Sequence, residues 1–119
     1  MRTTWPALVA FLCFACGTAI AATNTTFFID GDELLHYCQS RSEIRRGLCN
    51  GIIIGVSDGA TANAPDDGTG FCHPVKTTRG MLQSLVVKWL EAHPADRPRP
   101  AAKLVMRAFI AAFPCAPTR

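Results

Sequence analysis

Cys49–Asp58, CNGIIIGVSD, is the stretch on which the reading of this chain turns. Taken alone, Ile52-Ile53-Ile54-Gly55-Val56 is an apolar, β-branched run that suits a short buried strand over residues 51–56. The flanking sequence argues for a helix instead. Gly47, Gly51, Gly55 and Gly59 recur every fourth residue, and Ile44, Leu48, Ile52 and Val56 keep the same interval, which on a helix aligns each set along one side. A glycine in a helix interior is about 1 kcal/mol worse than alanine, so four of them need a reason. Small residues at this spacing form a shallow groove that lets a second helix approach backbone to backbone. The four glycines are therefore expected to be helix-packing positions.

Outward from this segment the chain reads as four helices and one long loop. Toward the N-terminus, residues 31–40 form the first helix, with Asp30 or Asp32 as its N-cap and Leu34, Leu35 and Cys38 on one face. Ser42 is a cap for the second, glycine-bearing helix. Residues 57–71 are rich in Gly, Ala, Asp and Asn, contain Pro65 and Asp66-Asp67-Gly68, and read as a surface loop. Thr77 or Thr78 starts a third helix that runs to Ala92 with Leu82, Leu85, Val86 and Trp89 on its apolar face. His93-Pro94 ends it, because a residue before proline avoids the α region. A polar, proline-bearing connector follows, and Pro100 suits the first turn of a fourth helix. Ala101, Leu104, Val105, Ala108, Phe109 and Ala112 mark its buried side, and Phe113-Pro114-Cys115 stops it.

The first residues stand apart from this pattern. Arg2 precedes a nearly wholly apolar run over residues 6–20, too short for a membrane span, and Ala19-Ile20-Ala21 is an A-x-A cleavage site. Residues 1–21 therefore read as a secretory signal peptide, and residues 22–119 as the mature domain. Cleavage removes the C-x-x-C pair Cys13 and Cys16 and leaves about 100 residues, enough for one small domain that benefits from covalent staples. The remaining cysteines, Cys38, Cys49, Cys72 and Cys115, are even in number, as expected of disulfides formed in an oxidising compartment. The net charge of the whole chain is +3, from 12 basic and 9 acidic residues, too weak and too mixed to suggest nucleic acid or an anionic membrane as a partner.

At this point the residues resemble a known family. Phe28–Cys38, FIDGDELLHYC, looks like its first helix, with a G-x-E-L-L-x-x-C pattern. Cys49-x-Gly51, Ile53 and Gly55-Val56-x-Asp58 match its second helix, and Cys72 with Pro74 matches the approach to its third. Trp89-Leu90, His93-Pro94 and Phe113-Pro114-Cys115 match its close. The family is the Rap/Tai immunity group, small periplasmic helical proteins that neutralise type VI secretion amidases. Those effectors cut peptidoglycan peptides with a Cys-His site. The resemblance implies an all-α, disulfide-bearing inhibitor, often dimeric. Ile52 stands where the family usually has tyrosine, so a contact that depends on that tyrosine does not carry over.

Catalytic readings find little support in the sequence. His36 with Cys38, or Cys72 with His73, lacks the C-x₂₋₄-C or H-x₃₋₅-H spacing of a zinc site, and pairing four cysteines leaves no thiolate for a Cys-His nucleophile. No phosphate-binding loop, nucleophile elbow or dinucleotide fingerprint occurs, and Asp66-Asp67-Gly68 lacks the rest of a calcium loop. The chain is therefore expected to be no enzyme and to need neither metal nor cofactor. Arg41, Arg45 and Arg46 read as a solvated helix face. The candidate partner-binding residues are Asp58, Asp66, Asp67 and Phe71, on or beside the polar loop, where functional residues concentrate. Four cysteines allow three pairings. Cys38 and Cys49 flank a short turn, and Cys72 and Cys115 bracket a helical hairpin, so topology favours Cys38–Cys49 with Cys72–Cys115. Two functions follow: an immunity protein that occludes an amidase cleft, or a small acid-responsive periplasmic chaperone with no toxin partner.

Overall fold

In the computed structural model, residues 26–63 and 70–115 are described; the leading segment, residues 64–69 and the last four residues lie outside that range. Residues 1–21, read from sequence as a signal peptide, and Asp66 and Asp67 therefore fall outside the described residues. Within them the fold is all-α: α1 (Gly31–Gln39), α2 (Glu43–Ala62), α3 (Arg79–Ala92) and α4 (Ala101–Ala112), with a 3-10 turn over Pro94–Asp96. Two isolated antiparallel bridges, Asp30 to Pro100 and Phe71 to Pro114, tie the segments before and after helices together.

Side-chain oxygens cap α1 and α3, whereas Ser42 precedes α2 without a capping side-chain hydrogen bond. Asp30 Oδ1 accepts from the Glu33 backbone N–H at 2.9 Å, so Asp30 and not Asp32 is the cap of α1. Thr78 caps α3 by accepting from Met81 N–H. The second helix passes straight through the expected loop boundary at Ser57 and continues to Ala62. Ser57 is turned inward at 6% exposure, four residues beyond Ile53 and eight beyond Cys49, so it extends the buried face. The last turn is held from within: Thr61 Oγ1 donates to Ser57 O at 2.9 Å and Asn63 Nδ2 donates to Gly59 O at 2.7 Å.

Leu34, Leu35 and Cys38 of α1, Cys49 and Ile53 of α2, Leu82, Val86 and Leu90 of α3, and Leu104, Val105, Ala108 and Phe109 of α4 form one core. The residues 51–56 that could have made a strand instead place Ile53 inward at a helical interval from Cys49 and Ser57. Disulfides join Cys38 to Cys49 and Cys72 to Cys115. The second spans a sequence separation of 43, for which chain entropy gives roughly 4 kcal/mol of stabilisation.

One glycine is forced by close packing, and it is Gly31. A Cβ there would run into Leu104 Cδ1 and sit 2.8 Å from Arg97 O, while the Gly31 N–H donates to that same carbonyl at 2.7 Å. Arg97 locks this junction from the other side. Its Nε donates to Leu90 O at 2.8 Å, capping the C-terminal end of α3, and its guanidinium lies 3.7 Å from Asp32. Asp96 collects Arg99 at 3.3 Å and Arg107 at 3.4 Å, which fixes the connector against α4.

The stripe on α2 behaves otherwise. A Cβ built at Gly47, Gly51, Gly55 or Gly59 would meet nothing within 4 Å, so among the described residues no other helix packs against these glycines. The reason is the orientation of α2. Cys49, Ile53 and Ser57 define the buried line, and Gly51 and Gly55 fall on the opposite side of the helix.

Candidate functional site

Two features of α2 stand out, one on its outer face and one on its inner face. Outside, Ile44 is 78% exposed and Leu48 49% exposed, in line with the bare backbone at Gly51 and Gly55. Isolated exposed aliphatics are ordinary, but a row of them continued by glycine is an apolar strip along a helix. Where the strip meets α4 it opens into a groove of about 580 Å³, floored by Gly55, Val56, Gly59 and Ala102 and bordered by Met106, Lys103 and Arg107. The groove exists because Gly55, Gly59 and Ala60 leave the α2 wall low, with Ala102 small on the α4 side. A second apolar patch, with Phe28 99% exposed, lies around Ile52 and Ala102 at the adjoining end.

Inside, α2 meets the segment that leads to α3. Ser57 Oγ and His73 Nε2 are 2.8 Å apart, and His73 Nδ1 is buried with no hydrogen-bond partner. Three rings surround the imidazole: Phe71 at 4.6 Å, Phe113 at 5.2 Å and Phe109 at 5.3 Å between centroids. The Cys72 N–H donates to Phe113 O at 2.8 Å, and the Cys72–Cys115 disulfide closes the same corner. Burial lowers the His73 pKa below its ordinary value, and the field of Asp58 opposes that shift.

The expected partner-binding residues separate in this geometry. Asp58 is exposed near the C-terminal end of α2, one residue from Ser57. Phe71 is half-buried, its ring 5.0 Å from that of Phe109, so it anchors the returning chain rather than projecting freely. The arginines resolve into exposed local pairs: Arg46 with Glu43, and Arg45 with His36 Nε2 at 3.2 Å. Ser57 and His73 were missed from sequence. They are 16 residues apart, and only the even spacing of Ser57 from Cys49 and Ile53 hints that it turns inward.

Ser57 and His73 have the separation of a nucleophile and its base, but Ser57 lies on the buried face of α2 and is shut away from any substrate. All four cysteines of the described domain are in disulfides, which removes them as thiolate nucleophiles or metal ligands. Among the described residues no three His, Cys, Asp or Glu side chains gather as a metal-binding group, and no helix is long and apolar enough to cross a membrane.

The described residues form a small all-α domain stapled by two disulfides, with apolar side chains left exposed along α2. Residues 30–115, from the cap of α1 to the last disulfide cysteine, match the family of Rap1a immunity proteins, and the chain belongs to that family. Membership points to an immunity function against a secreted effector. No curated protein matches the chain significantly.

Proposed function

We propose that this chain is a periplasmic immunity protein that binds a peptidoglycan amidase delivered by type VI secretion and occludes its cleft, without turning over substrate itself. The observation that carries this is the family match across the whole described domain. Two disulfides and an N-terminal segment that reads as a signal peptide support an oxidising compartment outside the cytoplasm. Occlusion needs a protein surface and no catalytic set. The exposed strip from Ile44 to Gly55, with the α2–α4 groove beyond it, is the apolar part of that surface. Asp58, exposed near the C-terminal end of α2, adds a carboxylate suited to cationic groups lining a catalytic cleft, and Asp66 and Asp67 are further candidates of the same charge from the sequence.

The test is a titration against the amidase encoded beside this gene, repeated with Asp66→Ala/Asp67→Ala. Tight binding with loss of peptidoglycan cleavage supports the reading. A tenfold loss of affinity in the double variant, about 1.4 kcal/mol, places the loop in the interface. Unchanged affinity moves the interface to the helices. Absence of binding, together with suppression of client aggregation at low pH, would favour a chaperone instead. Sedimentation of the free protein decides whether it is a dimer.

A further inference from the structure

The corner where the chain returns to the domain holds a titratable ring with an unmet polar atom. In either neutral tautomer one imidazole nitrogen of His73 shares a hydrogen with Ser57, and the other, Nδ1, sits buried without a partner. Protonation puts an N–H on both nitrogens. Nδ1 would then be a charged donor with no acceptor, in a site walled by Phe71, Phe109 and Phe113. Among the described residues, the groups that face the ring are few. From α2 come Ser57 and the charge of Asp58. From α4 and its cap come only the rings of Phe109 and Phe113, and from the ring's own segment Phe71 and the disulfide-bonded Cys72. Burial among these rings disfavours the charged form while the field of Asp58 favours it, so a protonated ring is better placed outside the cage, toward the exposed Asp58.

We propose that His73 is a positioning residue for effector binding: neutral, it pins the Phe71–Pro74 segment against α2 and α4, and proton uptake releases it, so affinity falls in acid. The inference rests on the immunity reading above. Under that reading Asp58 is partner-facing and Phe71 anchors the segment beside it, and both are tied to this ring, one by charge and one by contact. The direction of the His73 pKa agrees, since burial already disfavours the charged form.

The experiment measures amidase affinity from pH 7.5 to 5.5 for the wild type, His73→Phe and Ser57→Ala, with two-dimensional NMR of the imidazole in the free protein. His73→Phe keeps an aromatic ring in the cage but cannot titrate. The wild type should lose affinity as pH falls, by no more than about tenfold per pH unit for a single proton, while His73→Phe should be flat after the shared titration of the effector is subtracted. Ser57→Ala should move the pH of the transition. In the free wild type, the His73 signals should titrate together with loss of hydrogen-exchange protection at the Cys72 amide, corrected for the intrinsic pH dependence of exchange. Equal pH profiles for wild type and His73→Phe, or His73 titration without loss of Cys72 protection, would overturn the inference. Absence of binding at every pH would instead sink the immunity reading, and the NMR arm would still decide whether the anchor titrates.

Discussion

Gly31 and the four glycines of α2 look alike in sequence and do opposite things. At Gly31 the backbone of α1 lies against Arg97 and Leu104 so closely that no Cβ fits. At Gly47, Gly51, Gly55 and Gly59 there is open space. The repeating pattern drew attention, but the single glycine carries the close approach. Regular spacing shows that small residues share a face; it does not say what that face meets. At Gly31 glycine is a condition of folding. On α2 it lowers helix stability with no packing return among the described residues, which fits a surface kept smooth for a partner.

The contrast breaks most sharply at Gly31. Gly31→Ala should destabilise by about 2–3 kcal/mol, because Leu104 and the Arg97 backbone must both move. A denaturant midpoint unchanged by this substitution would mean the junction is looser than described. Arg97→Ala attacks the same junction from its polar side. The carbonyls of Leu90 and Glu91 lose their guanidinium donor, and we expect a loss of about 1–2 kcal/mol. If the two variants are combined the losses should fall short of their sum, since both loosen one contact.

On α2 the sign reverses. Gly51→Ala and Gly55→Ala should each raise stability by up to about 1 kcal/mol, since the added methyl meets nothing and the unfolded chain loses freedom. Thermal melts test this. The same proteins titrated against the effector sharpen the comparison. A more stable variant that binds less well marks the strip as an interface, and one that binds equally well removes it from consideration.

What the sequence made legible follows the same line between local and tertiary causes. The four helices, the Thr78 cap, the stop at His93-Pro94 and the turn between Cys38 and Cys49 come from residues within a few positions of each other. The cysteine pairing was also accessible, because antiparallel helices bring their outer ends together. The end of α2 was not. Its Gly, Ala and Asp content reads as loop, but Ser57 finds His73 and Thr61 back-bonds to Ser57 O, so the helix persists to Ala62. The outward turn of the glycine stripe and the crowding at Gly31 likewise depend on where other helices lie, which no local pattern records. For the candidate site, Asp58 and Phe71 were found as sequence features, whereas the Ser57–His73 contact is a product of the fold.

The smallest effect expected is the dependence of stability on pH, and it separates the two faces of α2. His73 has a lowered pKa in the fold because burial disfavours its charged form, and in the unfolded chain it returns to about 6.5. Between the folded and unfolded values the unfolded chain binds more protons, so folding stability rises with pH across that window. The contribution is fully present above the unfolded pKa, shrinks as pH falls below it, and levels off once the folded protein is protonated as well. Chemical denaturation at several pH values between 7.5 and 4.5 should show this slope in the wild type. His73→Phe should remove it, while Gly55→Ala, on the outer face, should shift the whole curve upward and leave its slope unchanged. If His73→Phe kept the wild-type slope, the acid sensitivity would not belong to His73, and the inner face of α2 would be as indifferent to protons as the outer one.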